Sequence, residues 1–325
     1  MTPPDLIIST QNLTKSYGKQ QVVSNLNLAI PRGSICGFLG SNGAGKSTTI
    51  KLLLGLVQPT SGVGMVFDKN IVTDSVAIRE RVGFMAQSPS FYGYLTARET
   101  LQFVASFFFS GSKTAIAARI EELIELVGLS GKADRPVKGF SGGEKQRLGI
   151  AQAAINDPEL IILDEPASAL DPLGRRDVLK ILESFRDRST VFYSTHILDD
   201  VQRVSDRVVI LDRGRLIAQG RIEELLSGDS NLFHMTVRGD GATIKDRLLT
   251  MPWINKIELE TGVLDLTNSH TTKLLICVSD ARRAETELLR LAIADNNTIV
   301  THFERSAHNL EDIFVNLVGG GTKHE

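Results

Sequence analysis

The segment between residues 40 and 48 constrains the fold of this chain more than any other feature. Two glycines separated by four residues are followed directly by lysine and serine, in the run Gly40, Ser41, Asn42, Gly43, Ala44, Gly45, Lys46, Ser47 and Thr48. The apolar run Ile35–Leu39 predicts a buried strand before it, and Thr49 begins a helical pattern after it. A strand, a glycine-rich loop and a helix in this order predict a loop that binds nucleotide phosphates.

The residue types in this loop suit phosphate chemistry. Gly40, Gly43 and Gly45 permit backbone conformations and close approaches that a Cβ atom would block. Successive backbone N–H groups and the positive end of the following helix then face the phosphates. Lys46 is expected to reach the β- and γ-phosphates of ATP, and the Ser47 hydroxyl to bind Mg²⁺. A glycine-rich turn with a solvated lysine is the alternative, which the flanking strand and helix disfavour.

A second polar segment stands at the start of a helical pattern that runs to about Asn156. It begins with Ser141, followed by two glycines and Glu144. The unpaired N–H groups at such a helix start can bind an anion, as in the first loop. Taken alone, the segment is more simply interpreted as an ordinary helix capped by serine.

Two adjacent carboxylates follow a third apolar run. Leu160–Leu163 predicts a strand buried in a parallel sheet, and Asp164 and Glu165 come directly after it. Open α/β sheets bind their ligands at the C-terminal ends of their strands. We therefore expect both carboxylates to lie in a ligand site.

Together these segments resemble the ATP-binding subunit of an ABC transporter, over roughly residues 5–225. Seven features occur in the order that the family shows. They are Tyr17, matching the aromatic residue that stacks on adenine; the phosphate loop at 40–48; Gln87, after the strand Val82–Ala86; the signature segment Ser141, Gly142, Gly143 and Glu144; the pair Asp164 and Glu165; the loop Ser168–Asp171; and His196, after the strand Val191–Thr195.

This resemblance implies an α/β fold of the P-loop NTPase class. The cassette would have a β-subdomain, a RecA-like core and a helical subdomain at about residues 88–157. It would occupy residues 1–228, and a smaller C-terminal domain would follow at 229–325. At 325 residues, two domains also agree with the chain length.

The resemblance also implies a division of roles. A hydrolytic site needs a base within hydrogen-bond reach of the attacking water, and Glu165 is the candidate. Asp164 and Ser47 would bind Mg²⁺, and Gln87 could contact both Mg²⁺ and the water because its amide donates and accepts. His196 could sense the γ-phosphate. Taken singly, Gln87, His196 and Tyr17 are more simply interpreted as structural residues.

In ABC proteins the signature segment closes on the nucleotide held by the opposite subunit, so the resemblance implies a dimer. This chain carries both halves of the sandwich, which allows a homodimer, and a heterodimer with a related chain stays open. Glu144 departs from the family pattern, which most often has Gln at this position. We expect altered rates from this change rather than an inactive site.

A separate polytopic permease is the other expected partner. Phe91–Leu95 lies where the family's groove receives a short cytoplasmic helix of the permease, although plain core packing explains these aromatics equally well. The apolar stretch Phe103–Phe109 is too short to span a membrane. Thr96 and Glu99 have the spacing of a capping box before it, which predicts a buried helix of the nucleotide domain.

The composition is that of an ordinary globular protein, with 42% hydrophobic and 23% charged residues. A net charge of −2 gives no sign of the basic face that nucleic-acid binding favours. Two cysteines are too few for a disulfide framework or metal cluster and indicate a reducing compartment. With no signal-peptide pattern, we expect a cytoplasmic chain held at the inner face of the plasma membrane by its permease.

The C-terminal region has a different pattern. Strands are predicted at Leu232–Val237, 254–267, 273–279 and Thr298–Phe303, and helices near 242–250 and across Ala281–Asp295. This order resembles a ferredoxin-like α+β unit, βαββαβ. A final helix is predicted at Leu310–Val318, and this tail resembles those of ABC ATPases serving drug, antibiotic, lipid or polysaccharide exporters.

Two functions of different classes fit such a cassette. The first is the ATPase of an exporter, and the second is a soluble ABC ATPase acting on ribosomes or DNA. Proteins of the second kind usually carry two cassettes or a long coiled-coil insertion, whereas this chain has one phosphate loop and no sustained heptads. The exporter is therefore our prediction.

Overall fold

The computed structural model describes residues 5–109, 112–168, 170–226, 231–238, 241–264, 270–294 and 298–305. These residues form two compact units that divide after Ile222. The strands of the first unit are β1 (Leu6–Tyr17), β2 (Gln20–Leu26), β3 (Ala29–Pro31), β4 (Ile35–Leu39), β5 (Ser61–Val66), β6 (Lys69–Asn70), β7 (Val82–Met85), β8 (Leu160–Leu163), β9 (Thr190–Thr195), β10 (Arg207–Asp212) and β11 (Arg215–Arg221).

The helices of the first unit are α1 (Lys46–Leu53), α2 (Ser75–Arg79), α3 (Ala97–Ala105), α4 (Lys113–Leu126), α5 (Gly142–Ala153), α6 (Pro172–Ser184) and α7 (Leu198–Val204). Short 3-10 helices lie at Ser130–Lys132 and Val137–Gly139. Helix α8 (Ile222–Leu226) begins at the last residue of this unit.

A six-stranded sheet in the order β11-β10-β4-β9-β8-β7 forms the centre of the first unit. Its strands are parallel except for β11, which forms an antiparallel hairpin with β10. Every residue of β4, β8 and β9 is buried, as expected for parallel strands covered on both faces. Alternate residues enter different cores: Ile161 and Leu163 pack with the helices α3 to α6, and Leu160 and Ile162 pack toward the second sheet.

The second sheet of this unit is antiparallel, in the order β2-β1-β5-β6, with β3 also paired to β1. Its buried side chains, among them Ile8 and Val66, share one hydrophobic core with Phe38 of β4 and with helix α1. This shared core fixes the phosphate loop, which connects β4 to α1, between the two sheets.

The aromatic stretch after Thr96 differs from our expectation. Thr96 caps α3 in a full capping box with Glu99, as predicted. However, the helix ends at Ala105, and Phe103 and the three phenylalanines at 107–109 are exposed. The prediction of a buried aromatic helix is wrong, because the residues facing the core are Ala97, Leu101 and Ala105 at four-residue spacing, and the phenylalanines lie off that stripe.

The second unit is a four-stranded antiparallel sheet with two helices. Its elements are β12 (Leu232–Arg238), α9 (Gly241–Leu249), β13 (Ile254–Leu264), β14 (His270–Val278), α10 (Ala281–Ala292) and β15 (Ile299–Arg305). The sheet order is β13-β14-β12-β15. Alternate side chains of β12 and β14 enter a core with Leu248 and Leu288 of the helices.

This unit has the predicted βαββαβ order, although β14 begins at His270 and not at 273. The polar residues His270–Thr272 extend the strand because they pair with β13. The predicted helix at Leu310–Val318 and the predicted domain boundary at 228 lie outside the described residues, so both stay predictions. Within the described ranges, no helix combines the length and the apolar character needed to cross a membrane.

Candidate active site

The phosphate loop turns sharply where it leaves β4. The N–H of Gly40 donates to the carbonyl of Thr195 at 3.2 Å, and a Cβ atom at Gly40 would lie 2.5 Å from the carbonyl oxygen of Leu211. Gly45 caps α1 with φ of 105°, a left-handed conformation that side chains rarely adopt. These two positions therefore require glycine.

The Lys46 side chain is buried inside this loop. Its ammonium group donates to the carbonyls of Gly40 and Ser41 at 2.8 and 3.2 Å. It also forms an ion pair with Glu165, with 3.1 Å between Nζ and Oε1. Both side chains are almost fully buried, so the pair is stabilised in a region of low dielectric constant. The structure thus joins the predicted phosphate lysine to the predicted base.

Asp164 and Glu165 follow β8 and are oriented from the neighbouring strand β9. Ser194 donates its hydroxyl to Oδ1 of Asp164 at 2.6 Å and accepts the N–H of Glu165 at 2.8 Å. Glu165 has φ of 52°, a left-handed conformation that costs roughly 1–3 kcal/mol in a residue other than glycine. The Ser194 bond compensates part of this strain, so one hydroxyl group orients both carboxylate residues.

His196 completes this group of side chains. Its Nδ1 donates to Oε2 of Glu165 at 2.9 Å, while Oε1 receives Lys46. The imidazole is exposed, whereas the carboxylate is buried. The two oxygens of Glu165 therefore bind two different cationic or proton-donating groups, one from the phosphate loop and one from the end of β9.

Tyr17 and Gln87 stand apart from this cluster. Tyr17 is exposed at the end of β1, with the Lys15 ammonium 4.9 Å from its ring centroid. Gln87 is exposed two residues beyond β7. Its backbone carbonyl accepts a hydrogen bond from the side-chain amide of Gln146 at 3.2 Å. Among the contacts recorded for the described residues, none joins either side chain to Lys46 or Glu165.

The signature segment forms the N-terminus of α5. Ser141 is the N-cap and forms a capping box with Glu144, as serine and glutamate at this spacing can do. Gly142 and Gly143 occupy the first turn, where a Cβ atom would meet nothing within 4 Å at Gly142 and would make only an ordinary contact with Leu170 Cδ2, at 3.5 Å, at Gly143. Glu144 is buried, with its carboxylate held by the Ser141 N–H and by Lys132.

The loop after the carboxylates connects β8 to α6. Ser168 donates its hydroxyl to the carbonyl of Glu165 at 3.0 Å. Asp171 caps α6 by accepting the N–H of Gly174 at 2.8 Å, and Pro172 occupies the first helical position. This loop is thereby attached to the backbone of Glu165 at one end and to a helix at the other.

The sequence analysis missed several residues that support the site. Ser194 orients the carboxylates, and Gln146 connects α5 to the loop that carries Gln87. Arg175 of α6 forms an ion pair with the buried Asp200 of α7 at 2.5 Å. The available signal for Ser194 was a serine shortly after the buried apolar run Val191–Phe192 of β9. The other contacts cross between elements, and no spacing in the sequence indicates them.

Comparison with known proteins decides the family. A sequence profile described as "ABC transporter" matches residues 23–168. The bacitracin transport ATP-binding protein BcrA of Bacillus licheniformis is 36% identical over 320 residues, covering 97% of this chain and 98% of that protein. The chain belongs to the ATP-binding proteins of ABC transporters.

Other members of this family match along nearly the whole chain. The Nod factor export ATP-binding protein I of Ralstonia nicotianae is 32% identical over 96% of this chain and 94% of that protein. The linearmycin resistance ATP-binding protein LnrL of Bacillus subtilis is 31% identical over 96% of this chain and 98% of that protein.

Solved structures agree with this assignment. An ATP-binding subunit of an ABC transporter has a TM-score of 0.62 at 29% identity, covering 68% of this chain and 92% of that chain. A dimeric ATP-binding cassette in a post-hydrolysis state with ADP and Pi has a TM-score of 0.61 at 26% identity, and the match covers 66% of this chain and 98% of that chain.

These matches confirm the predicted family and its α/β cassette fold. This ABC protein binds and hydrolyses ATP to energise transport, and it acts with a transmembrane partner.

Proposed function

We propose that this ABC protein is the ATP-hydrolysing subunit of an exporter whose membrane permease is a separate polytopic chain at the plasma membrane. The observation that carries this proposal is the match to BcrA, which includes the C-terminal unit as well as the cassette. The related proteins are named for bacitracin transport, Nod factor export and linearmycin resistance. Export, with this chain on the inner face of the membrane, is the activity most consistent with all three names.

The substrate at the cassette is Mg²⁺-bound ATP. Hard oxygen donors suit Mg²⁺, and the Asp164 carboxylate, the Ser47 hydroxyl and the Gln87 amide supply such donors. When bound there, the ion would neutralise negative charge on the phosphates. The N–H groups of residues 40–48 would hold the phosphates, and Tyr17 would stack on adenine.

The ion pair between Lys46 and Glu165 suggests how binding prepares catalysis. Lys46 reaches a phosphate only if its ammonium group exchanges the carboxylate for phosphate oxygens. Glu165 is then free to accept a proton from the attacking water, as a general base must. His196 still holds the second carboxylate oxygen and can keep Glu165 oriented during this exchange.

The signature segment would complete the site of a partner chain. Backbone N–H groups at the start of α5 and the positive end of its dipole can bind the γ-phosphate of the opposite ATP. Because this chain has both the phosphate loop and the signature segment, a homodimer would contain two complete sites.

The proposed contact with the permease is an exposed aromatic patch, defined as Tyr92, Tyr94, Phe103 and Phe107. Tyr94 is 73% and Phe107 69% exposed, so core packing does not explain them. The rings form a continuous row, with centroid distances of 5.8, 5.9 and 5.1 Å along it. Aromatic side chains are favoured anchors in protein interfaces, and a short apolar helix of the permease fits such a row.

This patch can be tested by replacing Tyr92 and Tyr94 with alanine together. We expect loss of co-purification with the permease and retention of basal ATP hydrolysis by the isolated chain. Val76→Ala, an exposed apolar residue of α2, is the matched control and should retain the permease. Unchanged permease recovery in the double variant would contradict the patch assignment.

The exporter itself is tested by purifying the tagged chain from native membranes in mild detergent. We expect a polytopic membrane protein in stoichiometric amount, identified by mass spectrometry. Recovery with ribosomes or DNA-repair proteins in its place would contradict the exporter and leave the ATPase activity intact.

A further inference from the structure

Glu144 creates an electrostatic problem at the signature segment. The inference below rests on the proposed function, in which this segment faces the γ-phosphate of the opposite ATP. A carboxylate three residues into α5 would repel that phosphate and oppose the attraction of the helix N-terminus. The structure shows how the chain avoids this repulsion.

Both carboxylate oxygens of Glu144 are bound within the chain. Oε2 accepts the N–H of Ser141 at 2.8 Å, and the Glu144 N–H donates to the Ser141 hydroxyl at 3.3 Å. Oε1 forms an ion pair with the ammonium group of Lys132. The carboxylate is thus turned back toward the N-cap and carries a cation beside it.

Lys132 is held in place for this contact. It is the last residue of the 3-10 helix Ser130–Lys132, whose flanking residues Leu129 and Ala133 are buried in the core. The pKa of Glu144 lies below its ordinary value, chiefly because Lys132 donates to it, and the Ser141 N–H acts in the same direction. Glu144 therefore stays ionised near neutral pH, and protonation does not remove its charge.

We propose that Lys132 is a positioning residue for ATP hydrolysis: it cancels the charge of Glu144 and keeps this carboxylate in the capping box. The N–H groups of Gly142 and Gly143, which the capping box does not use, then remain available to a phosphate of the partner chain. In this proposal Lys132 acts on the nucleotide only through Glu144.

The test is a double-mutant cycle on the full chain, with ATP turnover as the readout. Lys132→Met should lower kcat by about tenfold, since a nearly buried carboxylate loses its partner. Glu144→Gln should stay within about threefold of the wild-type rate, because glutamine also completes a capping box. In the Glu144→Gln background, Lys132→Met should change kcat less than about twofold, because no charge is left to compensate.

Measuring kcat and ATP affinity separately distinguishes this role from a general structural one. ATP affinity of the dilute chain should be unchanged in Lys132→Met, because Lys132 pairs with Glu144 and not with the residues proposed to bind ATP within the same chain. Lys113→Met, an exposed lysine at the start of α4, is the control for loss of a positive charge and should keep the wild-type rate.

Equal losses of kcat from Lys132→Met in both backgrounds would overturn the proposal, as would a loss of ATP affinity. Failure of the proposed function gives a different result. In that case no permease would co-purify with the wild-type chain, whereas the differences in ATP turnover among the variants would be unchanged.

Discussion

The two units of this ABC protein bury very different side chains. In the first, charged residues lie deep inside: Lys46, Glu144, Asp164, Glu165 and Asp200 are all buried. In the second, Thr272 is the one buried residue of polar or charged type among those that the structure describes. The core of that unit is apolar, built on residues such as Phe233, Ile276 and Leu288.

This difference separates what stabilises a fold from what performs chemistry. Burying a charge is unfavourable unless it is paired, and even a good buried pair often stabilises less than an apolar core. Four of these five charged residues form ion pairs, Lys46 with Glu165, Glu144 with Lys132 and Asp200 with Arg175, and Asp164 accepts a hydrogen bond from Ser194. We infer that the cassette retains them for catalysis and positioning, whereas the second unit is held together by an apolar core.

The largest effect is expected from Glu165→Gln. The substitution keeps the shape of the side chain and removes the proposed base, so ATP turnover should fall by about 10²–10⁴-fold. ATP binding should remain, because the phosphate loop is unchanged. Steady-state hydrolysis and equilibrium binding of a fluorescent ATP analogue measure the two quantities separately.

Glu125→Gln is the matched control for this variant, since Glu125 is an exposed residue of α4. It should hydrolyse ATP at the wild-type rate. Turnover that survives Glu165→Gln would show that the buried carboxylate has a structural role, and the contrast between the two units would lose its functional meaning.

The two units also differ in what their sequences reveal. The phosphate loop and the capping box of Thr96 and Glu99 could be predicted because their chemistry is local: a glycine, a cap or a lysine at fixed spacing. Ser194 could not be assigned, because its importance depends on the contact of β9 with the end of β8. The partner of Glu144 was missed for the same reason, since Lys132 reaches it from a separate turn.

In the second unit, alternation of apolar residues on β12 and β14 was enough to place the strands. The aromatic stretch of the helical region was misinterpreted because hydrophobicity alone does not say which face of a helix is buried. Phe103 and Phe107 are as apolar as Leu101, yet only Leu101 lies on the stripe that faces the core.

The next largest effect is expected in the apolar core of the second unit. Leu288→Ala should lower the free energy of unfolding of this unit by about 2–5 kcal/mol, because it leaves a cavity beneath α10. ATP affinity should not change, since none of the phosphate-binding residues is involved. Hydrogen exchange resolved along the chain would locate the loss of stability.

Leu289→Ala provides a control on the adjacent residue, which is 36% exposed where Leu288 is fully buried. This variant should lower the free energy of unfolding by less than about 1 kcal/mol. Similar losses in both variants would mean that the core around α10 is not tightly packed, and the contrast between the units would weaken.

The smallest effect is expected from Asp200→Asn, which removes a buried charge that touches no proposed catalytic group. Burial raises the pKa of the Asp200 carboxyl, and Arg175 acts in the opposite direction without reversing the shift. A raised pKa means that the folded chain binds the proton more tightly than the unfolded chain. The stability contributed by Asp200 is therefore present below its ordinary pKa of 3.8 and is lost as pH rises through the raised value.

Asparagine cannot titrate, so the variant should gain melting temperature relative to wild type as pH rises from about 3.8. The gain at neutral pH should not exceed about 4 °C, the shift that about 1 kcal/mol produces in a domain of this size. Thermal unfolding of both proteins at a series of pH values measures this difference, with the exposed neighbour Asp199→Asn as control. If the melting temperature of the wild type instead rises relative to that of the variant as pH increases, the ion pair with Arg175 stabilises the charged carboxylate more than burial destabilises it. The buried charges of the cassette would then contribute to its stability as well as to its chemistry.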